Sequence, residues 1–129
     1  MAIKKYYVTV DGASTTRWYK DAKCTIRHRE NGPAIEYSNG DRVWYQNGQL
    51  HRIDGPAIEG MSRHKEWWQN GQLHRTGGPA VVFEDGDKRW CINGKYLTEA
   101  EFLATTQPVI EMTVADVEKL VGKRVKIIK

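Results

Sequence analysis

The sequence has few cysteines and no long apolar run. Cys24 and Cys91 lie far apart and neither belongs to a Cys-x-x-Cys pair, which argues against a disulfide framework or a cysteine-based zinc site. No apolar run approaches the roughly 20 residues that cross a bilayer, and no apolar segment follows Lys4 and Lys5. We therefore expect one soluble, cytoplasmic domain with reduced thiols and no membrane partner.

An excess of one charge sign is also missing from most of the chain. Residues 1–118 hold 15 Lys/Arg and 16 Asp/Glu, whereas residues 119–129 hold five basic side chains and no acidic one. A cluster of this size could contact phosphate or an acidic partner, but it favours a solvated helix end followed by a lysine-rich edge strand. The balanced charge elsewhere argues against a groove for extended nucleic acid.

What the sequence does contain is an internal repeat of 23 residues. The motif His-Arg-x-x-Gly-Pro-Ala occurs at 28–34, 51–57 and 74–80, and a Trp-x-x-Asn-Gly motif occurs at 44–48, 67–71 and 90–94. The phase between the two motifs is constant, so one supersecondary unit is copied along the chain. Trp18 fits the same position of a degenerate first unit, in which three extra residues near 24–26 separate it from His28.

Each unit carries the signals of strands joined by tight turns. The Asn-Gly and Asp-Gly dipeptides at 39–40, 47–48, 70–71, 85–86 and 93–94 tolerate the positive φ angles of hairpin turns. Residues 41–46 are rich in β-formers, and a second strand is expected over 49–59, interrupted near Pro56. Trp44, Trp67 and Trp90 should then lie on one face as a stacked stripe that supplies the core.

These patterns predict a mainly β fold with short C-terminal helices (α+β). Residues 1–97 form a single-layer antiparallel meander of repeated β-hairpins, and residues 98–129 form a helix–turn–strand cap. Capping boxes at 98–101 and 113–116 each open a helix, the second over 114–121. Gly122 should end that helix, and 124–129 alternates like a strand.

The order Trp-x-x-Asn-Gly-x-x-His, then Gly, then Asp-Gly before the next aromatic residue, resembles the MORN repeat and its bacterial and phage variants. The resemblance covers about residues 5–97, and His-Arg-x-x-Gly-Pro-Ala stands where the usual pattern has His-Gly-x-Gly. It implies a single-layer meander of hairpins. MORN arrays are associated with protein assembly and, less securely, with lipid contact, and the resemblance implies a phage or bacterial source.

The His-Arg pairs do not suggest catalysis. Copies separated by one unit lie roughly 10 Å apart along the sheet, so His28, His51 and His74 cannot converge on one substrate or metal. We expect no enzyme activity, metal or cofactor. In the structural interpretation, His and Arg bind backbone carbonyls and stack on neighbouring aromatic rings. In the functional alternative, the arginines present a cation ladder to an anionic partner.

The middle unit departs from the repeat. Ser62-Arg63-His64 replaces an Asn-Gly turn, so a longer or irregular turn is expected. Trp68 follows Trp67 on the opposite face of its strand, where it is either exposed or packed at an edge. The candidate binding residues are Arg52, Arg63, His64, Trp68 and Arg75. Four of them are predicted to form one contiguous surface, namely Arg52, Arg63, Trp68 and Arg75.

The function predicted from these features is that of a non-enzymatic binding protein, encoded by a phage, that occupies the surface of a host protein such as a defence component. The alternative is a small-molecule sponge that sequesters a signalling nucleotide through its Arg, His and Trp ladders. The partner is thus a host or phage protein, or else a nucleotide. The sequence sets no oligomeric state.

Overall fold

The structure, a computed structural model, describes residues 5–106 and 112–121. Its strands are β1 (Tyr7–Val10), β2 (Thr16–Tyr19), β3 (Ile35–Glu36), β4 (Arg42–Val43), β5 (Tyr45–Gln46), β6 (Gln49–Leu50), β7 (Ile58–Glu59), β8 (Lys65–Glu66), β9 (Trp68–Gln69), β10 (Gln72–Leu73), β11 (Val81–Val82), β12 (Lys88–Ile92) and β13 (Lys95–Leu97). Two helices follow, α1 (Glu99–Thr106) and α2 (Val114–Val121). The expected C-cap at Gly122 and the strand at 124–129 lie outside the described residues.

The main sheet has nine strands in the order β1-β2-β3-β4-β7-β8-β11-β12-β13, and the strand pairs are antiparallel. The pairs β5–β6 and β9–β10 form separate two-stranded sheets. Trp44 and Trp67 stand between the two halves of a long strand, at the point where the chain leaves the main sheet for the small hairpin. The predicted fold class, a mainly antiparallel β meander with two short C-terminal helices, is confirmed.

The strand expected over 49–59 is divided more completely than one proline requires. β6 ends at Leu50 and β7 begins at Ile58, and the residues between them belong to no strand. The first half pairs with β5 in the small hairpin, whereas the second half pairs with β4 and β8 in the main sheet. One repeat therefore contributes to two sheets.

Two kinds of turn alternate along the array. In the small hairpin, Asn47 and Gly48 both have positive φ angles of 51° and 79°, as a type I′ turn requires, and the Asn-Gly pairs at 70–71 and 93–94 do the same. In the main-sheet turn of residues 37–41, only Gly40 is left-handed, with φ 96°. There the amide of Tyr37 donates to the Asp41 carbonyl at 2.9 Å, which closes a wider turn.

The strand register separates two faces of the sheet. Ile35, Val43, Ile58, Glu66 and Val81 lie opposite one another in one row, whereas Glu36, Arg42, Glu59, Lys65 and Val82 form the adjacent row. Because neighbouring residues of a strand point to opposite faces, the two rows occupy different sides. We name the side of the first row, with Tyr45 and Trp68 two residues further on, the aromatic face. The side of the second row, with Trp44 and Trp67, is the ladder face.

The tryptophan stripe does not supply the core as predicted: the buried side chains are alanines together with residues such as Ile35, Val43 and Val81. Ala34, Ala57 and Ala80 are fully buried at 0% exposure, whereas Trp44 and Trp67 are half-buried. The amide of Ala57 donates to the Glu66 carbonyl and its own carbonyl accepts from the Trp44 amide, both at 2.7 Å. Backbones pass too closely there for a larger side chain, which explains the alanine in each Gly-Pro-Ala motif.

The helices begin as predicted. The Glu101 amide donates to Thr98 Oγ1 at 3.1 Å while Glu101 Oε1 accepts from the Thr98 amide at 3.3 Å, so the capping box of α1 is formed. Thr113 and Asp116 make the same pair at the start of α2. α1 packs against β12 and β13 and buries Phe102, which is 4% exposed.

Candidate functional site

Three of the units place an arginine over a tryptophan on the ladder face. The guanidinium carbon lies 3.9 Å from the ring centroid in the pairs Arg29–Trp18 and Arg52–Trp44, and 3.8 Å in Arg75–Trp67. Nη1 of these arginines donates to the carbonyls of Pro33, Pro56 and Pro79 at 3.2, 3.1 and 3.2 Å. Such geometry combines cation–π attraction with a hydrogen bond. It also shows that Trp18 belongs to a first unit.

The glycine of the Gly-Pro-Ala motif leaves space for this arginine. A Cβ atom on Gly55 would lie 2.9 Å from Arg52 Cζ, and one on Gly78 would lie 3.0 Å from Arg75 Nη1. Non-bonded carbon atoms prefer separations of 3.5–4.0 Å. Any side chain at these positions would push the guanidinium off the tryptophan ring.

The repeated histidines connect successive units. His28, His51 and His74 each accept a hydrogen bond at Nδ1 from the amide of the asparagine 19 positions ahead, in the Asn-Gly turn of the next unit, at 2.9–3.0 Å. Their own amides donate to the carbonyl of the preceding tryptophan at 3.0–3.2 Å. Since Nδ1 is the acceptor, a neutral ring carries its proton on Nε2.

The structural interpretation of the repeated pairs therefore holds for arginine, which binds a carbonyl and stacks on a ring. For histidine it needs correction, because the ring accepts an amide rather than binding a carbonyl. The difference arises because the adjacent Asn-Gly turn presents an amide hydrogen and not a carbonyl oxygen to the ring.

Carboxylates neutralise two of the three stacked arginines. Arg29 Nη1 lies 3.1 Å from Glu36 Oε1, and Arg52 pairs with Asp54 at 2.9 Å and Glu59 at 3.4 Å. Arg75 differs: within 5–106 and 112–121 it has no carboxylate partner. Burial lowers the pKa of the Arg75 guanidinium, because desolvation disfavours its charged form.

On the aromatic face, the middle unit carries a polar cluster that its neighbours lack. Glu66 Oε1 lies 2.7 Å from His64 Nε2, and Glu66 Oε2 accepts from Trp68 Nε1 at 2.7 Å. The His64 ring is tilted against Phe83 with centroids 5.5 Å apart. Both carboxylate oxygens of Glu66 are therefore engaged, and they fix the orientation of His64 and Trp68.

Arg63 occupies a backbone conformation that favours glycine. Its φ is 73°, and the Gly60 amide donates to the His64 carbonyl at 2.8 Å. The turn is therefore as long as the one that Gly40 closes, so the prediction of a longer turn is wrong. It is irregular in its backbone, because a non-glycine residue takes the positive φ angle. The pairing of the flanking strands sets the length of the turn. Arginine in place of glycine therefore leaves the length unchanged and costs backbone free energy at the positive φ angle.

The structure does not bring the five candidate residues together. Arg52 and Arg75 lie on the ladder face, His64 and Trp68 lie on the aromatic face, and Arg63 lies at the turn beside them. Trp68 is half-buried rather than exposed, because its indole is held by Glu66. The predicted contiguous surface is wrong, because Arg52 and Arg75 stack on Trp44 and Trp67, which lie on the opposite face from Trp68.

Sequence reasoning missed Glu66, which links His64 to Trp68. The available signal was the variation between units, since Val43 and Arg89 occupy the equivalent positions. A glutamate in a row of apolar side chains marks a position where packing alone does not decide the residue.

Each face carries an open groove. The groove on the aromatic face has a volume of about 540 Å³ and is lined by residues that include Tyr37, Tyr45, Leu50, Ile58 and His64. On the ladder face, a polar groove of about 860 Å³ runs past Trp44, Gln49, His51, Arg52 and Asp54. No cluster of three or more metal-ligating side chains occurs in the described part of the chain.

Comparison of the chain with protein-family models, with curated proteins and with solved structures gives no match. The resemblance to the MORN repeat thus stays a prediction drawn from the motif. The fold and the two faces define the chain as a β-hairpin repeat protein. None of the helices in the described segments is long and apolar enough to cross a bilayer.

Proposed function

We propose that this chain is a non-enzymatic binding protein that docks on another protein through the aromatic face of its middle unit. The observation that carries the proposal is Arg63, a non-glycine residue at φ 73° in a turn whose equivalents hold glycine. A left-handed arginine costs free energy, and such strain concentrates at functional sites. In the described residues the Arg63 guanidinium forms no hydrogen bond or ion pair, so the fold gains nothing from its charge.

The neighbours of Arg63 fit a docking surface. Phe83 is 36% exposed and Tyr37 is 40% exposed, and both belong to the aromatic face. Between them, Glu66 holds His64 and Trp68 in fixed orientations. Ordered aromatic side chains beside an arginine are the residues that dominate binding energy in protein interfaces, because they bury much area at little entropic cost.

The ladder face supports the nucleotide alternative less well. A base would have to stack on Trp44 or Trp67, yet a guanidinium already covers each ring at 3.9 or 3.8 Å. A phosphate would have to attract Arg52, whose charge is balanced by Asp54 and Glu59. Binding a nucleotide at Trp44 and Arg52 would therefore cost the internal contacts of that unit.

The identity of the partner rests on the motif resemblance alone. That resemblance favours a phage-encoded accessory protein acting on a host protein in the host cytoplasm, for example a defence component. This finer assignment is part of the proposal.

The test replaces the residues of the middle unit that depart from the repeat by those of the preceding unit. A regularised variant combines Arg63→Gly, His64→Asp, Glu66→Val and Trp68→Tyr, the residues found 23 positions earlier. Because these residues fold in the preceding unit, the variant should keep the sheet. The matched control, Thr76→Ile, copies a residue of the preceding unit onto the ladder face.

Immobilised wild-type protein, control and regularised variant would be compared for proteins captured from a bacterial extract. Any candidate would then be purified and its affinity measured directly. We expect the regularised variant to bind at least tenfold more weakly, with the control unchanged. Equal binding by all three proteins would refute the assigned surface. A rise of several degrees in melting temperature with a nucleotide would instead support the sponge.

A further inference from the structure

We propose that Arg75 forms a binding site for a carboxylate group on the ladder face. This site lies on the opposite side of the sheet from the proposed docking surface and is independent of it. The repeat itself provides the comparison, because Arg29 and Arg52 occupy the same position in earlier units and each binds a glutamate carboxylate, at 3.1 and 3.4 Å.

Arg75 has the same framework as these two arginines. It lies 3.8 Å from the centroid of Trp67, and its Nη1 donates to the Pro79 carbonyl at 3.2 Å. Ring and carbonyl hold the guanidinium in one orientation before any ligand arrives. A guanidinium has five N–H donors, so donors remain for an incoming oxyanion.

Among the three stacked arginines of the described residues, Arg75 alone lacks the glutamate partner, and it also lacks the aspartate that pairs with Arg52. Val82 stands at the position of Glu36 and Glu59, and Gly77 stands at the position of Asp54. The next turn carries acidic residues at 84, 85 and 87, but within the described ranges none of them forms an ion pair with Arg75. Val82 thus stands where a glutamate carboxylate pairs with the arginine in the earlier units.

Positive charge surrounds the position. Val82 lies directly opposite Lys65 in β8 and opposite Lys88 in β12. Each of these lysines is exposed. In the preceding unit the equivalent Glu59 lies between Arg42 and Lys65, and it pairs with Arg42 at 3.2 Å. The alternation of acidic and basic residues on the ladder face therefore stops at Val82. No acidic residue stands at this position among Lys65, Lys88 and Arg75.

The adjacent groove has room for a small acid or an acidic side chain. It has a volume of about 430 Å³ and is lined by residues that include Asp54, Trp67, Gln69, His74 and Arg75. Asp54 is already paired with Arg52 at 2.9 Å. A carboxylate is the fitting ligand because the same framework binds carboxylates at Arg29 and Arg52. It can come from a free carboxylic acid or from a glutamate side chain of another protein.

Two reciprocal variants test the site. Val82→Glu should fill the site from within the chain and raise the melting temperature by a few degrees. Glu36→Val should create a second vacant site, at Arg29. In NMR spectra of wild-type protein, acetate should shift the Nε–Hε resonance of Arg75 but not that of Arg29, at an ionic strength matched with chloride.

We expect acetate affinity at Arg75 to fall at least tenfold in Val82→Glu, and we expect Arg29 to respond only in Glu36→Val. Tighter binding of a glutamate-containing peptide than of acetate would identify a protein side chain as the source, and equal or weaker binding would identify a free acid. A response no larger than that to chloride, or an unchanged response in Val82→Glu, would overturn the proposal. So would inorganic phosphate binding tenfold more tightly than acetate.

The regularised variant keeps this test separate from the proposed function. It leaves Arg75 and Val82 unchanged, so it should bind acetate like the wild-type protein even when it loses its protein partner. Loss of acetate binding in that variant would overturn the claim that this site is independent of the docking surface.

Discussion

Replacing Arg63 by glycine should make the free protein more stable. An L-residue with a left-handed backbone costs about 1–2 kcal/mol. Glycine avoids that cost but loses about 0.4–1 kcal/mol through the greater freedom of the unfolded chain. The net gain for Arg63→Gly is then about 1 kcal/mol, because Arg63 makes no ion pair in the described residues that would be lost. A gain of this size corresponds to a rise of about 3–5 °C in melting temperature.

The reverse substitution is available in the next unit. Gly86 has φ 92° in the equivalent turn, and a Cβ atom there would meet nothing within 4 Å. Gly86→Arg therefore adds backbone strain without a steric clash. Gly40 is a poorer control, because a Cβ atom there would lie 2.9 Å from Met61 Cγ.

Urea unfolding of wild-type protein, Arg63→Gly and Gly86→Arg would measure the effect as a change of midpoint at an unchanged slope. We expect the midpoint to rise for Arg63→Gly and to fall at least as far for Gly86→Arg. If Gly86→Arg were destabilised while Arg63→Gly gained nothing, Arg63 would make a compensating contact in the free protein. The argument from strain to function would then fail.

Three further substitutions or reactions test the repeat. Trp67→Ala should cost about 2–3 kcal/mol in unfolding free energy, less than the 3–5 kcal/mol of a fully buried tryptophan, because the ring is half-buried; a thermal melt that barely moves would contradict this. Gly55→Ala should lower the melting temperature by displacing Arg52 from its ring, and an unchanged tryptophan fluorescence spectrum would count against it. Burial raises the pKa of the Cys91 thiol, so at pH 8 a thiol reagent should modify Cys24 first and Cys91 only on unfolding; equal rates would refute the placement.

The repeat period made most of the fold predictable. Asn-Gly pairs located the hairpin turns, and the capping boxes located both helices at their observed starts. What the pattern could not show was that the units with Trp44 and Trp67 are each divided between two sheets. That division depends on the backbone hydrogen bond from the Trp44 amide to the Ala57 carbonyl, which joins residues 13 positions apart.

The candidate site was less predictable than the fold. Alternation along a strand correctly placed Trp67 and Trp68 on opposite faces. It could not place Arg75, which follows β10 and lies on the face opposite to Trp68 because it stacks on Trp67. The role of Glu66 depends on two side-chain hydrogen bonds, which no periodicity encodes.

The histidine contacts give the array a direction. The amide of Asn70 donates to His51, and that of Asn93 donates to His74, so each turn is secured by the unit before it. The turn of each unit therefore depends on the histidine of the unit before it. The unit's own histidine accepts the hydrogen bond from the turn of the next unit. An inserted copy of 23 residues would find a donor and an acceptor at its two ends, and the energy of the array would grow by one identical interface. Replacing one histidine should accordingly destabilise the turn that follows it, and local unfolding should spread from there towards the C-terminal end.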